Sequence, residues 1–77
     1  PSDARIQGNL LAALYRTRDP KAFERALDAA KAAGLSGPQM MKAAPAFRRA
    51  MADESQAHKA KDNSHVLPMD LLIKVAQ

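Results

Sequence analysis

Apolar positions recur along this chain at helical spacing, in blocks separated by turn residues. Ile6, Leu10 and Leu14 stand four apart with Leu11 and Tyr15 beside them, which predicts an amphipathic helix over about residues 3–16. Ser2 is placed to cap it, and Asp3 falls in the first turn, where the helix dipole favours a carboxylate. Gly8 inside that helix costs about 1 kcal/mol relative to alanine, a cost that close helix packing explains better than catalysis does. The link Thr17-Arg18-Asp19-Pro20 then supplies an N-cap, Asp19, and a proline at the first helical position, where its missing N–H does no harm. Phe23, Ala26, Leu27 and Ala30 line one side of the second helix, over about 20–33, and Gly34 provides the left-handed residue that ends it.

The third block opens with Ser36 and Gln39, a capping box, while Leu35 and Met40 are spaced as a hydrophobic staple. Pro45 interrupts it, and a proline inside a helix costs about 3 kcal/mol. Yet Met40, Ala44, Phe47 and Met51 keep steps of four, three and four across the proline, with Lys42, Pro45 and Arg49 on the opposite side. The spacing predicts one helix over about 37–60, kinked at a solvent-facing Pro45, with two short helices meeting at Ala44 as the alternative. Residues 53–65 contain no large apolar side chain and read as an exposed helix tail, a linker, or both.

The closing block reverses that balance. Pro68 opens a last helix, over about 67–76, in which only Asp70, Lys74 and Gln77 are polar, and Asp70 and Lys74 are spaced to pair with each other. A helix apolar nearly all round needs cover on more than one side. Leu72 or Val75 is therefore expected to face a partner protein, a second copy, or the rest of a longer parent chain. The elements add up to a single all-α, four-helix bundle-like domain over residues 1–77, with a capped hairpin and a kinked third helix.

Composition explains why such a domain wants company. Of its apolar residues 17 are alanine, and tryptophan is absent, so the core is thin for 77 residues. Without cysteine there is no disulfide or thiolate metal site, and the compartment stays open. No apolar run approaches the roughly 20 residues that span a bilayer.

Catalytic chemistry finds little to work with. The two histidines, His58 and His65, lie in the polar tract, Ser36 is accounted for as a cap, and no cofactor is expected. Glu54, His58, Asp62 and His65 are spaced four, four and three apart, so a continuous helix would align imidazoles and carboxylates as weak metal candidates. A solvated polar face is the simpler reading of the same residues. No enzyme is expected.

Charge is more informative. Between Asp28 and Asp53 there is no acidic residue, while Lys31, Lys42, Arg48 and Arg49 carry the whole net charge of +4. In the same window Ala30, Gly34, Leu35 and Met40 form a small-residue, glycine and apolar spacing that resembles the turn of helix-turn-helix DNA-binding proteins. The resemblance covers about 20 residues and implies that the third helix reads DNA while nearby cations meet phosphate. Against it, Gly37, Pro38, Gln39 and Met40 offer one side chain suited to base edges, and a proline follows. The favoured expectation is a docking or adaptor module in which Lys42, Arg48 and Arg49 steer an acidic protein partner and Leu72 or Val75 meets it. The alternative is a DNA binder built on the second and third helices.

Overall fold

The computed structural model describes residues 3–61 and 63–77, and in them five helices follow one another. They are α1 (Ala4–Arg16), α2 (Pro20–Ala32), α3 (Gly37–Ala43), α4 (Pro45–Lys59) and α5 (Met69–Ala76), with no strand among the described residues. The all-α bundle and its capped hairpin are as the sequence reads.

Side-chain caps set the starts of the first three helices. Asp3 is the cap of α1, its carboxylate accepting the N–H groups of Arg5 at 3.0 Å and Ile6 at 3.2 Å. The expected cap Ser2 lies outside the described residues. Asp19 accepts from Lys21 and Ala22 at the start of α2. At α3 the capping box is complete, with Gln39 N–H donating to Ser36 Oγ at 3.1 Å and Ser36 N–H donating to Gln39 Oε1 at 3.3 Å. Gly34 takes the left-handed conformation, φ 93°, that the turn requires. Ser36→Ala is expected to lower stability by about 0.5–2 kcal/mol. A thermal melt of that variant indistinguishable from the parent would contradict the capping assignment.

The third expected helix is two helices. Ala44 is extended, with φ −126° and ψ 95°, and Pro45 starts α4. A kink does not suffice because the pyrrolidine ring drives the residue before it out of the helical region, and the proline has no N–H to carry the ladder on. As the first residue of a new helix it loses nothing. Pro45 is exposed, and Met40, Ala44, Phe47 and Met51 are buried on both sides of the break.

Around this break the bundle is organised on α1, which packs against α2, α3 and α4. Its inward residues are Gly8, Leu11 and Ala12. Ile6 and Leu10, expected on the buried face, are instead 57% and 44% exposed. The reason is Gly8: a Cβ there would sit 2.6 Å from Ala44 Cβ and 3.0 Å from the Met40 carbonyl oxygen. The bare side of the helix lies against the α3–α4 junction, and that contact turns the Ile6–Leu10 side outward. Phe23 and Phe47 meet in the core with ring centroids 6.2 Å apart.

Two expectations for α5 also change. Val75 points inward at 1% exposure, because side-chain-free Gly37 lets the Val75 carbonyl pack directly onto the start of α3. Met69 and Ile73 face outward instead, at 51% and 52%. Lys74 does not pair with Asp70. Its ammonium reaches across to Asp28 at 2.5 Å and Glu24 at 3.5 Å on α2, and the Asp28 hydrogen bond raises its pKa above the usual lysine value.

Candidate functional site

Met41 on α3, Met51 on α4 and Leu72 on α5 converge on an open cleft of about 320 Å³. Ala52, Val75 and Ala76 extend its apolar lining, and the polar members are Arg48 and Ser55. The break at Ala44 separates α3 from α4, and α5 packs against both. Methionine at two of the wall positions suits a surface that adapts to its occupant, because the thioether chain is unbranched and flexible.

Of the residues expected to meet a partner, Leu72 and Arg48 come together here. Val75 contributes from beneath but belongs to the core. Arg49 turns to a second furrow of about 240 Å³ between α1 and α4, beside Tyr15, Arg16 and Asp53. Lys42 is exposed and lines neither cleft. The basic side chains thus ring the α3–α4 surface without sharing one groove.

Compared with known families, characterised proteins and solved structures, the chain matches none. Its chemistry has to be read from its own side chains.

The least expected of these is Glu54, a carboxylate with 0% exposure in the tract expected to be solvated. Its Oε1 accepts the Tyr15 hydroxyl and the Val66 N–H, both at 2.9 Å. Its Oε2 accepts the Leu67 N–H at 2.6 Å and His58 Nε2–H at 3.2 Å. Four donors from α1, α4 and the segment before α5 therefore close on one charge. Burial alone would push the Glu54 carboxyl up, but the hydrogen bonds from Val66, Leu67, Tyr15 and His58 outweigh it and hold it below the usual range. Burial, then the hydrogen bond to Glu54 and its charge, push the Tyr15 phenol up to about 12. A signal for this was present: continuing the Phe47–Met51 spacing by three reaches Glu54, and by four more His58.

The weak metal candidates take other roles. The one His58 Nε2–H is shared between the Leu67 carbonyl at 2.8 Å and Glu54 Oε2 at 3.2 Å, and the ring lies 4.4 Å from that of His65. Asp62 lies outside the described residues. Among the described residues no group of three histidine, cysteine or acidic side chains is arranged to hold a metal. No described helix is long and apolar enough to cross a membrane.

For the DNA reading, α3 has only seven residues, with Gly37 and Met40 buried and the Gln39 Oε1 engaged in the capping box. Its exposed residues are Pro38, Gln39 and Lys42.

Proposed function

We propose that this chain is a non-catalytic protein-docking module, part of a larger protein or assembly. Its α3–α4–α5 cleft receives the apolar side of an acidic amphipathic segment. The observation that carries this reading is the meeting of Leu72, Met41 and Met51 with Arg48 in one open, largely apolar cleft. A helix laid in such a groove places apolar residues at i, i+3, i+4 and i+7 into it. Arg48 offers a flanking carboxylate a planar, two-pronged partner, and the absence of acidic residues between Asp28 and Asp53 favours the approach of negative charge.

A titration of isotopically labelled protein with a synthetic helix carrying leucines at that spacing and glutamates beside them tests the reading. Resonances of Met41, Met51 and Leu72 are expected to shift, and Leu72→Glu is expected to abolish the shifts without loss of helicity. Arg48→Ala with Arg49→Ala should slow association and flatten its salt dependence. Equal binding by the same helix with lysine in place of glutamate, or no binding at all, would overturn the proposal. Salt-steep binding to random duplex DNA, lost in the double arginine variant, would favour the helix-turn-helix alternative.

A further inference from the structure

Helix α5 has eight residues and no side-chain cap at its start. Isolated helices shorter than about 12–15 residues are marginal in water, so α5 keeps its shape by docking. Its inward residues Leu71 and Val75, and Leu67 just before it, are buried against the bundle. The other helices keep Leu11, Phe23, Leu27, Met40 and Phe47 as a core of their own. The last segment can therefore open before the rest does.

Two attachments hold that segment shut. At one end Val66 and Leu67 donate their N–H groups to Glu54, and His58 Nε2–H is shared between Glu54 and the Leu67 carbonyl. At the other, Lys74 reaches Asp28 and Glu24 on α2. Between and beside them Leu72, Val75 and Ala76 supply one wall of the α3–α4–α5 cleft. Glu54, His58 and Lys74 do not line that cleft. The groups that hold the wall in place thus stand apart from the surface it forms.

Resting on the docking role proposed for the cleft, we infer that residues 66–76 are a latch that makes and unmakes it. An opening that frees Val66 and Leu67 from Glu54 takes α5 along, and the cleft loses a wall. An occupant touching Leu72, Val75 and Ala76 binds the closed form alone. Coupling between two sites is reciprocal, so the occupant must also hold the Glu54 hydrogen bonds shut. Its apparent dissociation constant is the intrinsic one divided by the closed fraction, which lets distant groups set affinity. The Glu54 end is buried from salt, whereas the exposed Lys74 clamp is screened by it.

Native-state hydrogen exchange tests the latch on the free chain. The amides of Val66, Leu67, Leu72, Ile73 and Val75 are expected to share one opening, faster than that of Leu11 and Leu27. Added salt should speed that opening more in the parent than in Lys74→Gln. The synthetic leucine–glutamate helix, at about 100 times its dissociation constant, should slow exchange at Val66 and Leu67 about 100-fold, although neither lines the cleft. Gly37→Ala, which forces α5 away, should bind the helix several-fold more weakly while Leu11 and Leu27 stay protected. Exchange of α5 at the rate of Leu11, Val66 and Leu67 opening independently of α5, or a bound helix that leaves their exchange unchanged would each overturn the inference. A helix that does not bind overturns the docking role and the coupling with it. That result is told apart from failure of the latch, because the common opening is read without any helix.

Discussion

Replacing Glu54 by alanine is expected to cost about 3–5 kcal/mol, since several donors at about 1–3 kcal/mol each lose their acceptor. A domain of 77 residues has few kilocalories to spare at about 0.05–0.15 kcal/mol per residue, so this variant is expected to be largely unfolded near body temperature. Glu54→Gln keeps the volume but offers one accepting oxygen, and its amide N–H groups confront the N–H of either Val66 or Leu67, whichever faces the nitrogen. It should lose about 1–3 kcal/mol. Denaturant titration measures both, and a glutamine variant as stable as the parent at neutral pH would show that the charge is not what these donors require.

The same cluster dictates a pH profile. Glu54 titrates lower folded than unfolded, so its contribution is complete above the unfolded value, about 4.3. It is lost as pH falls through the folded value. Tyr15 titrates higher when folded, at about 12, so its contribution is complete below the unfolded value and is lost as pH rises toward 12. Melting temperature should therefore fall on both the acid and the alkaline side. The acid limb should flatten in Glu54→Gln, and the alkaline limb in Tyr15→Phe.

The second large effect is expected at Gly37. A Cβ there would lie 1.5 Å from the Val75 carbonyl oxygen and 2.7 Å from the carbonyl carbon, so main chain meets main chain and no rotamer relieves it. Gly37→Ala must push α5 off the start of α3, uncovering Leu71 and Val75. At about 1.5–3 kcal/mol for each such side chain, full undocking costs roughly 3–6 kcal/mol. Protease cleavage after Lys74 and a lowered melt should both report it. An alanine variant that melts like the parent and keeps α5 protected would show that the close approach is not required.

What could be read in advance followed from signals contained within a few residues. Asp19 with Pro20, Ser36 with Gln39, and Gly34 each act on their immediate neighbours, and the α2–α3 hairpin came out as read. At Pro45 the alternative of two short helices meeting at Ala44 holds rather than the kinked helix, because a buried stripe does not require a continuous helix. Met40, Ala44, Phe47 and Met51 can equally share a face across a break, since Ala44 itself packs into the core. On α1, size was mistaken for burial, and the contact that decides the helix's orientation belongs to a residue with no side chain. Glu54 escaped because its partners are remote: Tyr15 is 39 residues away and Leu67 is 13. The continued Phe47–Met51 spacing marks position 54 as inward, but nothing local to it names the donors that fold over it. For the same reason the cleft was legible only as its separate residues, Leu72 and Arg48, and not as a place.

The Glu54 cluster also governs the order in which the chain can assemble. A carboxylate leaves water cheaply only when its replacement donors arrive together. Helices α1 to α4 could approach one another early, but α4 cannot settle around Glu54 until residues 66 and 67 bring their N–H groups, and α5 travels with them. A half-built bundle, closed but for its last segment, would hold a carboxylate with two of its four donors, Tyr15 and His58. The final segment thus supplies the donors that complete the burial of a charge carried by α4.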